Sequence, residues 1–290
     1  MRYTVLLPVA LCAVSSVLAG CSGQADAARE KSAPQTAAAP AGQPQVLVIH
    51  ARDFAFDAPD TVTAGLTTIR LINDGPDYHH AQLIRLASGH SMPEMMDSLK
   101  SHQALPTWAT EVGGPNSAGL AGTESQATLM LDPGAYAVLC MIPSAGGVPH
   151  FAEGMERALT VLPSPDTTAQ LPAADMEVDL ADYAFTPSTP FTAGTHVIRF
   201  RNTAAQAHEA VFIRLNPGKT PADFDKFVMD RKGDAPAELV GGVTSLAPNA
   251  TADARVTFTP GRYAILCFVP DRKDGKPHVM HGMVKEFTIS

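Results

Sequence analysis

The chain has 290 residues, 45% of them hydrophobic and 17% charged, and a formal net charge of −8. An acidic balance of this size argues against nucleic acid as a partner, because phosphate recognition needs a basic face. Beyond the N-terminus no apolar run approaches the ~20 residues of a membrane span, so the globular part is expected beside a membrane rather than in it.

In chain order, Arg2 supplies a positive start, the run from Val5 to Leu18 is almost wholly apolar, and Leu18-Ala19-Gly20 places small residues ahead of Cys21. Together these predict a secretion signal over residues 1–20. The segment Leu18-Ala19-Gly20-Cys21 also resembles the lipobox of bacterial lipoproteins, which implies cleavage before Cys21 and its acylation. At about 0.8 kcal/mol per buried methylene, several acyl chains hold a protein on a membrane where a single chain exchanges. The expected location is the bacterial cell envelope, lipid-anchored, in the periplasm or at the cell surface. Residues 21–43 are Ala, Gln, Pro, Ser and Gly with a few charges, a composition that buries too little apolar surface to offset its ordering entropy. They are expected to form a disordered tether. Loss of Arg2 with the signal leaves 20 basic and 29 acidic residues, a net of −9.

The rest is an internal repeat. Asp53-Phe54-Ala55-Phe56 returns as Asp182-Tyr183-Ala184-Phe185, Asn73 and His79 as Asn202 and His208, and Ile84-Arg85-Leu86 as Ile213-Arg214-Leu215, all 129 positions later. After a small length change, the segment from Pro133 to Cys140 returns as Pro260 to Cys267, and His150 and Met155 return as His278 and Met283. Two modules follow, 44–163 and 172–290. Short β-rich runs broken by Asp-Gly, Asp-Pro-Gly and Gly-Gly predict an all-β class with a sandwich in each module. In the first module the strands are expected at 45–55, 67–72, 80–86, 127–131, 135–140 and 157–162. One helix per module is expected, at 93–102 and 221–230, where apolar residues recur every three or four positions.

Side chains alternate faces along a strand. Tyr136, Val138 and Cys140 therefore share the core face, as do Tyr263, Ile265 and Cys267, and each Cys points inward at a strand end. His79 with Ala81 and Leu83, and His208 with Ala210 and Phe212, also face inward. His80 falls on the opposite face and is expected at the surface. Cys140 and Cys267 occupy the same position in different repeats, so a disulfide between them is not expected.

On these residues both modules resemble cupredoxins, the blue-copper fold of plastocyanin and azurin. The family pattern is an Asn-led strand ending in the first His ligand, then Gly-x-Tyr-x3-Cys, then a loop with the second His and an axial Met. The matching positions are Asn73, His79, Gly134, Tyr136, Cys140, His150 and Met155, repeated as Asn202, His208, Gly261, Tyr263, Cys267, His278 and Met283. The spacings Cys-x9-His-x4-Met and Cys-x10-His-x4-Met exceed those of plastocyanin-like loops. They are similar to the type-1 loop of copper nitrite reductases. The resemblance implies tandem Greek-key sandwiches with copper as cofactor, held by His79, Cys140, His150 and Met155 and by His208, Cys267, His278 and Met283. A thiolate and two imidazoles with a weak thioether suit both copper oxidation states.

His281 is a rival to His278 but stands two residues from Met283, so it is assigned to the surroundings of the site or to the surface. Met92, Met95 and Met96 beside His90 read as the apolar face of a helix rather than a Cu(I) relay. His50, His102 and His196 have no partner that spacing reveals. Leu139 and Leu266 stand where nitrite reductases place the His that wires one copper to another, and neither module has the His-x-His pairs of multicopper oxidases. The expected function is therefore electron transfer with an unidentified redox partner protein. A metal-free or copper-storage module is the alternative, and a copper oxidoreductase is disfavoured.

Overall fold

A computed structural model describes residues 43–102, 104–165 and 169–290. The predicted signal, Cys21 and nearly all of the tether lie outside the described residues, as does the side chain of His102. The first repeat forms β1 (Gln45–Arg52), β2 (Ala55–Asp57), β3 (Thr61–Thr63), β4 (Gly65–Asn73), β5 (Gln82–Leu86), α1 (Met92–His102), β6 (Ala109–Gly113), β7 (Glu124–Leu131), β8 (Gly134–Leu139) and β9 (Glu156–Leu162). The second forms β10 (Met176–Ala181), β11 (Ala184–Pro187), β12 (Gly194–Asn202), β13 (His208–Leu215), α2 (Pro221–Asp230), β14 (Ala237–Leu246), β15 (Thr251–Phe258), β16 (Gly261–Leu266) and β17 (Val284–Ile289). The all-β sandwich with one helix per repeat is as expected. Each repeat adds a one-turn 3₁₀ helix, His150–Glu153 and His278–His281.

Both repeats contribute to the same two sheets. One runs β11-β10-β12-β15-β7-β4-β1-β2 and the other β17-β16-β13-β14-β6-β5-β8-β9-β3. The seams are β15 against β7, where Ala254 pairs with Ala127, and β14 against β6, where Leu246 pairs with Val112. Asn116 N–H donates across the seam to Gly242 O (3.1 Å), and Thr244 N–H to Gly114 O (2.9 Å). Gly114 (φ +150°) and Gly242 (φ +128°) have no room for a side chain: a Cβ would lie 2.0 Å from Ala81 O and 1.9 Å from Ala210 O. Glycine thus permits the close approach of β6 to β5 and of β14 to β13.

Between the sheets lies one continuous core drawn from both repeats. Outside the nine-stranded sheet, each helix covers the back of its own ligand strands. Helix α1 lays Met95, Met96 and Leu99 on Ile84, Leu86, Ala137 and Leu139, while α2 lays Phe224 on Val211, Ile213 and Leu266. Burial of a side chain such as Phe224 contributes about 1.5–3 kcal/mol. Both helices start on capping boxes, which satisfy first-turn N–H groups. Glu94 N–H donates to Ser91 Oγ, and Ser91 N–H to Glu94 Oε2 (2.7 Å). The Thr220/Asp223 pair does the same ahead of Pro221. Met95 and Met96 are therefore core residues with Met92 partly buried against them, and His90 stacks on Trp108 with ring centroids 4.1 Å apart.

Because the back of the sheet is covered, the expectation that His80 lies at the surface is wrong. It is 5% exposed, enclosed where the two repeats meet.

Candidate metal centres

At the end of β8 the chain carries Cys140 into the core, and β16 carries Cys267 to the equivalent point, both fully buried and both free thiols. The loop returns along its own strand. Phe151 N–H donates to Cys140 O (2.8 Å), and Cys140 N–H to Met155 O (3.2 Å). His150 opens the 3₁₀ turn, Gly154 ends it at φ 109°, and Met155 N–H donates back to His150 O (2.9 Å). His278, Gly282 (φ 90°) and Met283 repeat this, with Met283 N–H to His278 O at 3.0 Å. The four-residue spacing between His and Met is thus one 3₁₀ turn closed by a glycine in the left-handed region, and it buries both side chains completely.

His79, Cys140 and His150 form one group and His208, Cys267 and His278 the other, each with its ligand atoms within 4.8 Å of one another. His150 Nδ1 lies 3.5 Å from Cys140 Sγ; His278 Nδ1 and His208 Nδ1 lie 3.3 and 3.9 Å from Cys267 Sγ. On the far side of the first imidazole stands a carboxylate, Asp53 Oδ1 2.6 Å from His79 Nε2 and Asp182 Oδ1 3.0 Å from His208 Nε2. That contact leaves Nδ1 of each ring turned inward, and His79 Nδ1 has no hydrogen-bond partner. The loop histidines also point Nε2 at acids, Asp77 at 3.5 Å and Asp271 at 3.7 Å. Histidine backed by carboxylate is the usual orientation of a metal-binding imidazole.

Burial disfavours the charged form of five of these donors. It lowers His79 and His208, holds His278 down to about 4, pushes the Cys140 thiol up to about 12 and raises Cys267 well above its ordinary value. The N–H groups of His80 and Ile142 face Cys140 sulfur; those of Glu209 and Val269 face Cys267, with Glu209 N–H at 3.4 Å. Two imidazoles and a thiol within reach of one another, with a buried thioether one turn further along the chain, make a soft donor set that fits one copper ion in each module.

The six predicted His and Cys residues come together in two groups, Met155 and Met283 are buried one turn beyond the loop histidines, and His281 is in neither group. Its ring lies against Tyr183, and its Nε2 is 3.2 Å from Asp274. The Asp271, Asp274 and His281 cluster is largely exposed. His50 finds Asp74 (2.9 Å) and His196 finds Thr192 O (2.9 Å), both at the surface.

The sequence reading missed a layer of residues around the ligands. Met141 N–H, next to Cys140, donates to His80 Nε2 (2.8 Å), and Phe268 N–H, next to Cys267, donates to Glu209 Oε1 (2.9 Å). Arg231, at the end of α2, crosses from the second repeat to the first centre. It lies 3.4 Å from Asp77, donates to Pro143 O in the ligand loop (2.9 Å) and stacks over Tyr78. The recurrence of Asp53 as Asp182 was visible in the repeat, whereas Arg231 has no counterpart that a repeat could flag.

Sandwich, donor set and ligand loop together fit the cupredoxin class of copper protein. No protein-family model matches the chain, and no curated protein does. Among solved structures, an auracyanin from the photosynthetic bacterium Roseiflexus castenholzii is 23% identical, covering 39% of this chain and 94% of its own, with a TM-score of 0.29. Auracyanin A from Chloroflexus aurantiacus, a "blue" copper protein, is 20% identical over 41% of this chain and 99% of its own, TM-score 0.29. A copper nitrite reductase from Nitrosomonas europaea is 14% identical over 86% of this chain and 94% of its own, TM-score 0.25. At these scores the likenesses carry no weight, and the copper assignment stands on the side chains.

Proposed function

We propose that this chain is an exported, membrane-tethered copper protein that passes single electrons, with one type-1-like copper in each module. The observation that carries the reading is the pair of buried His/Cys/His groups, each with a buried Met one 3₁₀ turn beyond its loop histidine. Bound copper supplies a one-electron couple. The protein's own contribution is to fix the donors: Asp53 and Asp182 hold the first histidine of each centre, and the 3₁₀ turn sets the second histidine and the methionine. The covered sheet keeps water away, so little has to move when charge changes.

A carrier is favoured over an enzyme because Leu139 and Leu266 precede the cysteines, leaving no histidine there to reach another metal. Among the described residues no helix is long and apolar enough to cross a membrane. Attachment is therefore assigned to Cys21, and Cys21→Ser should release the protein from membranes. The function is tested by loading the protein with copper and recording its visible spectrum and electrochemistry. An intense thiolate-to-Cu(II) band and reversible uptake of two electrons per chain are expected. A colourless protein without bound copper would refute the reading.

A further inference from the structure

His80 and Glu209 hold equivalent places in the two repeats, each directly after the first histidine of its donor set. Each holds its own cysteine at two points. The backbone N–H of His80 faces Cys140 sulfur, while its Nε2 accepts the N–H of Met141, the residue after that cysteine (2.8 Å). The backbone N–H of Glu209 lies 3.4 Å from Cys267 Sγ, while its Oε1 accepts the N–H of Phe268 (2.9 Å). Both side chains also meet one residue, Asn116, which follows β6 at the seam between the repeats. Asn116 Nδ2 donates to Glu209 Oε2 (3.2 Å) and Val243 O (3.3 Å), and the His80 ring faces the same side chain. His80, Asn116 and Glu209 are 5%, 2% and 7% exposed, so the contact is closed to water.

The polarity of this arrangement matches the one difference between the copies here. Since Nε2 accepts, a neutral His80 ring carries its proton on Nδ1, the nitrogen left without a partner. Asn116 Oδ1 takes Ser117 N–H (2.8 Å) and keeps a second lone pair for that donor. A single amide thus turns its oxygen to the donor on one side and its N–H to the acceptor on the other. Two histidines in this tautomer, or two carboxylates, could not be joined by it. Buried donors are seldom left unmatched, and Asn116 is the group that faces this one.

We propose that His80, Asn116 and Glu209 form a buried bridge between the two centres, through which copper held at one exchanges an electron with copper held at the other. The inference rests on the electron-transfer reading and adds an internal step to exchange with a partner. One electron leaves Cu(I) at one centre, which becomes Cu(II), and reduces Cu(II) at the other to Cu(I). No bond is made or broken and no proton leaves. From Cys140 the route follows the backbone to Met141 N–H and crosses the imidazole to the Asn116 amide. It continues through the Glu209 carboxyl to Phe268 N–H and so to Cys267. The leucines that precede the cysteines offer no such connection; the N–H groups that follow them do.

The bridge is tested by NMR on copper-loaded, half-reduced protein. Exchange within a molecule broadens the lines of residues around each centre independently of protein concentration, whereas exchange between molecules scales with it. A concentration-independent contribution is expected. Asn116→Leu, similar in size but without the amide, should abolish that contribution while leaving two coppers per chain. The metal-free protein gives a second readout. A nitrogen-to-nitrogen coupling across the Met141 N–H to His80 Nε2 hydrogen bond is expected, together with an Nδ1 proton that moves upfield in Asn116→Leu as its acceptor is lost. Should that variant fail to fold, His80→Phe keeps a ring in place and should abolish the same contribution. Its absence from the parent, its persistence in these variants, or a His80 ring protonated on Nε2 would overturn the proposal. A protein that takes up no copper would overturn the electron-transfer function and this exchange together. Two reducible coppers without internal exchange would overturn the bridge alone.

Discussion

Cys267 and the two histidines facing it are all held uncharged by burial, the thiol raised and the imidazoles lowered. Metal uptake must then displace one proton, that of the thiol, since the imidazoles already offer free lone pairs. In a Cys140→Ser variant, which leaves only the second centre, adding Cu(II) at pH 8 in weakly buffered solution should release about one proton per copper. As pH falls, protons compete for the same thiol and imidazoles, so affinity should decline. No proton release would mean that the sulfur is not a ligand. Asp182, partly exposed, is bonded to His208 Nε2 and accepts from Gln206 Nε2 (3.3 Å), and it reaches the centre through the His208 ring. Asp182→Asn should weaken copper binding about 10–100-fold. The thermal midpoint of the metal-free protein should stay nearly unchanged, which separates orientation from folding.

At the scale of elements, Arg231 links the end of α2 to the other repeat's ligand loop. Its buried guanidinium holds Asp77 beside His150 and would favour the reduced, less positive state of copper held at the first centre. Arg231→Met should lower the potential of the first centre by an amount on the order of tens of millivolts and leave the second in place. Voltammetry resolves this, and equal shifts at both centres would contradict it. The helices were legible because each has its own local signals: Ser91 with Glu94, Thr220 with Pro221 and Asp223, and apolar residues at helical spacing. Most principal strands were legible for the same reason. Strands β6 and β14 were not, because Ala109–Gly113 and the Gly-Gly of β14 lack clean alternation, and their pairing is set by glycines that let backbones meet. His80 was misplaced on the same account. Alternation named its face correctly, but what covers that face is a helix and the other repeat, contacts no single strand announces.

Across the whole molecule, the two modules are parts of shared sheets as well as tandem copies. The seam runs through Gly114 and Gly242, where a side chain would strike a carbonyl oxygen. Gly242→Ala should therefore destabilise the protein by about 2–4 kcal/mol, read from denaturant unfolding. A shift of a few tenths would show the approach of β14 to β13 to be pliable. The two His/Cys/His groups were legible because duplication wrote their residues twice in register. The seam between copies was not, because it sets equivalent positions of the two copies against each other, Pro115 with Val243 and Ala127 with Ala254, and duplication alone does not say which strands meet.

The central claim is that each module holds its own copper through its own cysteine. Metal analysis with visible absorption on Cys140→Ser, Cys267→Ser and the double variant tests it most directly, because oxygen poorly replaces the thiolate that defines such a site. Two copper ions in the parent, one with about half the absorbance in each single variant and none in the double variant are predicted, as for independent sites. Loss of both coppers from one substitution, or full copper and colour in the double variant, would contradict it.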